Sequence, residues 1–315
     1  MRPVIIAHRG ASGHLPEHTV QAKALAFAMG ADYLEQDLVA TRDDRLVVLH
    51  DIHLDRVTNV ARVFPDRSRP DGRYYVRDFD LDEILSLTVH ERVDGAGRQV
   101  FPDRQAHTGD EFRVHTFERE LALAETLCKS TGRDVGIYPE IKRPAWHREE
   151  GVDITRHVLD ALQRAGYTDS SDAVYLQCFD DAELQRIRHE LGSRLKLVQL
   201  IGEDSWGEAS TGYAALRTPE GLRELARTVD GVGPWVNHLY RRSSWGRKVE
   251  PTEFVATAHE NGLAVHPYTF RRDALAEGFE DFEGMVGFFV RELMVDGLFT
   301  DFPGDVLAIL RRIFK

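Results

Sequence analysis

The tripeptide Glu35-Gln36-Asp37 closes an apolar stretch, with His8-Arg9 upstream and His50-Asp51 downstream. On an extended strand, residues i and i+2 face the same side, so Glu35 and Asp37 can share one hard cation while Gln36 points away. The segment Gly136-Ile137-Tyr138-Pro139-Glu140-Ile141-Lys142 repeats that spacing at the end of another apolar run, adding a carboxylate, Glu140, and a cation, Lys142. Oxygen donors of this kind suit Ca2+ or Mg2+ rather than zinc. The two histidines can divide proton removal and delivery, and the planar fork of Arg9 suits a phosphate. Each residue also has a plainer reading: strand-end carboxylates in salt bridges, a core histidine, countercharges. Together they are the kit needed to hold a phosphodiester and cleave it.

Such residues must be brought to one place. Apolar runs recur at Val4–His8, Tyr33–Val39, Val135–Ile141, Val174–Phe179, Leu195–Ile201, Gly231–Val236, Leu263–Tyr268 and Gly297–Thr300. Helical periodicity fills most of the gaps, at Thr19–Met29, Thr116–Ser130, Asp153–Ala165, Asp181–Leu191, Pro219–Thr228 and Pro251–Asn261. This alternation predicts an α/β fold, a (β/α)8 TIM barrel in which residues 1–315 form one catalytic domain. The run Leu46–His50 follows the second strand too closely for a parallel crossover, so the two should form an antiparallel hairpin that returns His50 to the carboxylates. His8, Glu35, Asp37 and Glu140 all end strands, and barrel active sites lie at the C-terminal mouth. Residues 53–114, rich in charge, Gly and Pro, read as an insertion capping that mouth.

Other residues are weaker candidates. Gln177 and Tyr268 sit at strand ends where they could line a pocket. His266 reads as barrel core, Glu17 as a helix-start residue, and Trp235 and Phe270 as an apolar wall of the pocket; His18 and Asp301 complete the set. The net charge of -12 argues against nucleic acid, whose phosphates demand a basic surface. No run approaches a membrane span of roughly 18 apolar residues. Cys128 and Cys178 are expected to be free thiols. The first strand starts so early that a leader has no room ahead of it, which fits a cytoplasmic chain or a periplasmic one already trimmed.

The chain resembles the glycerophosphodiester phosphodiesterase family, and within it the bacterial periplasmic-type branch. The resemblance rests on AHRGASGHLPEHT (7–19), GADYLEQDLVATRDDRLVVLHD (30–51), HLDRVT (53–58), FRVHTFEREL (112–121), GIYPEIK (136–142), YLQCFD (175–180), VHPYTFR (265–271) and GLFTDFP (297–303). These segments span nearly the whole chain in order. The family pattern of His-Arg, Glu-x-Asp and a following His maps onto His8, Arg9, Glu35, Asp37 and His50. Many members carry Asn where this chain has His18, and His there is typical of the periplasmic branch. The resemblance implies hydrolysis of glycerophosphodiesters to glycerol 3-phosphate and an alcohol, using one divalent cation, with Ca2+ favoured over Mg2+. It places metal ligation on Glu35, Asp37 and Glu140, acid/base work on His8 and His50, and substrate contact on Arg9, Lys142 and Gln177. The expected partner is a small-molecule glycerophosphodiester, with no stable membrane insertion; a homodimer is left open. Two alternatives stand beside it: a related barrel phospholipase acting on intact lipid headgroups, and a noncatalytic binding protein of the same fold.

Overall fold

Strands that are buried on both faces carry continuous apolar runs, because helices cover one side and the barrel interior the other. The computed structural model describes residues 2–106, 109–242 and 249–315. Its strands are β1 (Val4–Ala7), β2 (Tyr33–Ala40), β3 (Leu46–Val48), β4 (Gly136–Ile141), β5 (Tyr175–Cys178), β6 (Lys196–Ile201), β7 (Gly231–Pro234), β8 (Tyr240–Arg242), β9 (Val249–Pro251), β10 (Ala264–Val265) and β11 (Gly297–Thr300). The parallel order β10-β7-β6-β5-β4-β2-β1-β11 carries the eight barrel strands, and β8 and β9 form a separate antiparallel pair. The barrel closes through backbone bonds from Asp296 N to Val265 O (3.0 Å) and from Phe270 N to Phe299 O (2.8 Å). The expected (β/α)8 barrel is therefore the observed fold.

Eight of the helices among the described residues follow barrel strands and wrap them: α1 (Val20–Ala28), α2 (Phe117–Thr131), α3 (Ile154–Arg164), α4 (Asp181–Gln185), α5 (Pro219–Leu225), α6 (Phe254–Glu260), α7 (Phe282–Arg291) and α8 (Pro303–Ile313). Thr19, Thr116, Asp153, Asp180, Thr218 and Asp281 each accept a backbone N–H in the first turn of the following helix. Each such cap is worth about 1 kcal/mol, and it sharpens the point where chain leaves the mouth and turns back down. The strand expected over Leu263–Tyr268 is regular only at Ala264–Val265. Pro267 has no N–H for the ladder, and pairing resumes beyond it, between Trp235 and Tyr268.

The barrel interior is packed rather than open. Ile6, Tyr138, Val198 and Phe299 form its apolar plug. The Tyr138 hydroxyl lies 2.9 Å from His266 Nδ1, and its ring stacks on Tyr175 at 5.0 Å between centroids. His266 thus fills the core, as expected. Phe270 departs from expectation: it is fully buried and meets Phe289 of α7 edge-on at 4.9 Å, on the helix side of the sheet rather than in a substrate wall. Cys128 and Cys178 are both free.

β3 pairs antiparallel with β2, Leu38 opposite Val48 and Ala40 opposite Leu46, as the short connection required. The outer face of this hairpin, through Val39 and Val47, packs on a second apolar cluster that includes Leu54, Val57, Val60, Val76, Phe79, Ile84, Leu87 and Val89. The charge-rich stretch after β3 therefore has a core of its own, supported by the hairpin. Its apolar residues are too irregularly spaced to show a period.

Candidate active site

β1 ends where the backbone enters the left-handed region at Arg9 (φ 59°) and Gly10 (φ 89°). A Cβ at Gly10 would lie 2.8 Å from the backbone of Ala22, so only glycine lets this turn pack on α1. The turn directs the Arg9 N–H onto Glu35 Oε2 at 2.5 Å. His18, also left-handed at φ 56°, places Nε2 2.7 Å from Asp37 Oδ2. Two non-glycine residues in this sparsely populated region beside one cluster of carboxylates mark a tightly determined site.

β2 and β4 run parallel with Asp37 opposite Glu140, and Glu140 is opposite Gln177 of β5. All eight residues singled out from the sequence, His8, Arg9, Glu35, Asp37, His50, Glu140, Lys142 and Gln177, line one cavity of about 280 Å³. Lys142 Nζ lies 2.8 Å from Glu140 Oε1. Gln36 points away, as alternation demands, and donates to Glu120 Oε1 at 2.8 Å in a buried set with Lys23 and His115.

Each histidine is anchored at Nδ1. His8 Nδ1 is 2.7 Å from Asp301 Oδ1, and His50 Nδ1 is 2.6 Å from Asp51 Oδ1. Burial raises both aspartates, but neighbouring arginines, Arg271 and Arg104 around Asp301 and Arg92 beside Asp51, together with the hydrogen bond from each histidine, outweigh it and hold them well below the usual range. An ionised carboxylate accepts, so Nδ1 carries the proton and Nε2 is left with the lone pair. Burial first, and then the charge of Arg9, lower His8 to about 3 and move His50 in the same direction. Both rings are therefore neutral bases at neutral pH.

Burial, followed by the neighbouring charge of Asp37, pushes Glu35 well above the ordinary range, and burial does the same to Glu140 against the pull of Lys142. Asp37 moves the other way, because His50, Lys142 and His18 outweigh its burial. Among the described residues, Asp37 Oδ1, Gln177 Oε1 and Arg9 Nε are buried without a hydrogen-bond partner. One ligand atom each from His18, Glu35 and Asp37 lie within 4.8 Å of one another, close enough to hold a metal ion. Crowded carboxylate oxygens with unspent lone pairs fit a hard divalent cation.

Other functional groups were faint or silent in the sequence. Glu17 accepts from both Arg9 and Arg92, and it is a half-buried ion-pair partner rather than a helix-start residue. Trp235 and Tyr268 line the cavity, joined by Trp206, Glu208 and Arg271. The Trp206 and Trp235 rings meet at 5.3 Å, and Glu208 Oε2 lies 4.0 Å from Lys142 Nζ. Trp206 and Glu208 follow β6, and loops after barrel strands build the mouth, so that position was the available signal. Arg92 and Arg104, inside the charge-rich stretch, carried none.

Residues 8–305 match the model of the glycerophosphoryl diester phosphodiesterase family. A glycerophosphodiester phosphodiesterase of Haemophilus influenzae is 45% identical over 98% of this chain and 90% of its own length. One from Treponema pallidum is 36% identical, over 95% and 89%. Among solved structures, one from Silicibacter pomeroyi superposes with a TM-score of 0.75 at 23% identity, covering 99% of this chain and 94% of that one. An Oleispira antarctica phosphodiesterase in complex with the product sn-glycerol-3-phosphate gives 0.64 at 17%, covering 98% and 97%. These structural likenesses speak for the barrel. The family model and the sequence relatives, each spanning nearly the whole chain, establish that this protein belongs to the glycerophosphoryl diester phosphodiesterase family.

Proposed function

We propose that the protein is a metal-dependent phosphodiesterase that splits glycerophosphodiesters, the deacylated remains of phospholipids, into glycerol 3-phosphate and an alcohol. The observation that carries this reading is the placement of His8 and His50, each anchored through Nδ1 to a carboxylate, in one cavity with Glu35, Asp37 and Glu140. The names of the relatives support it. Glu35, Asp37 and Glu140 would hold one divalent cation, Ca2+ by preference, with His18 fixing Asp37. When bound, that ion would polarise the phosphate and lower the pKa of a glycerol hydroxyl.

The remaining work falls to the chain itself. Arg9 and Lys142 bind the phosphate and offset the charge that develops on it. Gln177 offers its free carbonyl oxygen to the glycerol hydroxyls. One histidine takes the proton of the attacking hydroxyl at Nε2, and the other, having taken up a solvent proton at its own Nε2 when the anionic phosphate binds beside it, gives that proton to the leaving alkoxide, each step typically worth about 10²- to 10⁴-fold. The attacking group is the substrate's own glycerol 2-hydroxyl, which is already held near phosphorus and so gains an intramolecular advantage over water. A cyclic glycerol phosphate then forms and is opened by water, with the same histidines exchanging roles.

The test is a panel of glycerophosphodiesters bearing choline, ethanolamine, inositol or glycerol, assayed in EDTA and then with Ca2+ or Mg2+ restored. Turnover that vanishes in chelator and returns with either ion supports the reading. Full activity in chelator, with no metal bound, removes the metal. Hydrolysis of intact phospholipids in place of every panel member removes the substrate class.

A further inference from the structure

The two histidine–aspartate pairs have one feature in common: the outer oxygen of each aspartate is gripped by an arginine of the charge-rich stretch. Arg92 donates from Nη1 to Asp51 Oδ2 at 2.7 Å, while Asp51 Oδ1 faces His50. Its other two nitrogens bind Glu17, Nε to Oε2 at 2.9 Å and Nη2 to Oε1 at 2.6 Å. Glu17 in turn accepts from Arg9 at 3.0 and 3.1 Å. Arg104 donates from Nη2 to Asp301 Oδ2 at 2.6 Å, while Asp301 Oδ1 faces His8. Its Nε binds Asp273 Oδ2 at 2.7 Å, and its Nη1 binds the Ser12 carbonyl at 3.0 Å.

Both guanidiniums are largely buried, with side-chain exposures of 15% for Arg92 and 5% for Arg104. Each therefore spends all three nitrogens on fixed partners. A carboxylate bound on one oxygen by a rigid fork cannot swing, and its other oxygen sets the plane and tautomer of the histidine it meets. The barrel places the histidines, and the stretch after β3 helps to fix how their rings are turned, through Arg92 on Asp51 and through Arg104 on Asp301, whose Oδ2 also accepts from Arg271 Nε of the barrel at 2.7 Å.

We propose that Arg92 and Arg104 are positioning residues through which the 53–114 insertion holds the two acid/base histidines in reactive orientation, Arg92 acting on His50 through Asp51 and Arg104 acting on His8 through Asp301. This rests on the hydrolytic reading of the site. It gives the insertion a part in the reaction beyond covering the mouth. Lysine cannot substitute, because one compact ammonium head cannot reach the spread of oxygens that each planar guanidinium spans, on two residues for Arg92 and on three for Arg104.

The experiment uses the full chain as Arg92→Lys and Arg104→Lys, with His8→Ala and His50→Ala to assign the ring signals. Imidazole 15N spectra report each ring directly and need no turnover. Arg92→Lys should shift the His50 signals and leave those of His8, and Arg104→Lys should do the reverse. In the kinetic arm, each variant should lose about 10- to 100-fold in kcat, with KM changed by less than about threefold. In the His50→Ala background Arg92→Lys should cost nothing further, since its effect passes through the missing ring. Should a lysine variant not fold, Glu17→Gln, which loosens Arg92, and Asp273→Asn, which loosens Arg104, must give the same selective shifts. Unmoved ring signals, or a kcat loss that adds in full without the histidine, would overturn the proposal. A wild-type protein that hydrolyses no panel member defeats the functional reading instead, and the ring spectra still judge the clamp.

Discussion

His18 Nε2 lies 2.7 Å from Asp37 Oδ2, and both side chains are buried. One oxygen of the aspartate is thereby committed to the imidazole, while Oδ1 has no hydrogen-bond partner. The ring holds one oxygen of Asp37 and leaves the other free, so in the proposed metal site it would act as a brace. His18→Ala should weaken Ca2+ or Mg2+ binding by about 10- to 100-fold, read by calorimetry, with a smaller change in melting temperature than in affinity. Glu35→Gln, Asp37→Asn and Glu140→Gln should each raise the metal concentration needed for activity. Unchanged affinity in His18→Ala would show that Asp37 needs no brace.

The histidines should behave as a unit, because proton removal and delivery belong to one catalytic cycle. His8→Ala and His50→Ala are each expected to lose at least about 10²-fold in kcat while still binding metal. A variant that keeps near-native kcat assigns its histidine to structure and ends the two-histidine mechanism.

Intramolecular attack has its own signature. A glycerophosphodiester whose 2-hydroxyl is replaced by hydrogen should bind measurably and turn over negligibly, and brief incubation with the natural substrate should reveal a cyclic phosphate. Rapid hydrolysis of the deoxy analogue would leave water as the nucleophile.

Acid should destabilise the barrel through His266. Burial lowers its pKa from 6.5 to about 4 in the fold, where it faces the Tyr138 hydroxyl. Below pH 6.5 the unfolded chain takes up a proton that the folded ring refuses, so stability falls as pH drops toward 4 and levels below it. The loss attributable to this group is about 3 kcal/mol. Denaturant unfolding at pH 7 and pH 4.5 should show a smaller difference in His266→Gln than in wild type, and equal differences would acquit His266.

Much of this protein was legible in its sequence because the relevant physics is local or periodic. Parallel strands buried on two faces read as apolar runs, helical periodicity filled most of the gaps between them, and the i, i+2 spacing put Glu35 with Asp37 and Glu140 with Lys142. The five-residue link before Leu46 could only make a hairpin, and that returned His50 to the carboxylates. What required the tertiary structure is what depends on distant pairing. Asp301 reaches His8 only because β11 lies beside β1, and Phe270 turns into the helix layer only because the barrel closes past Pro267. Arg92 and Arg104 sit in a stretch whose apolar residues have no period, and their partners lie far along the chain. Charge contacts of that kind carry no spacing rule, since they are set by which surfaces meet after the chain has folded.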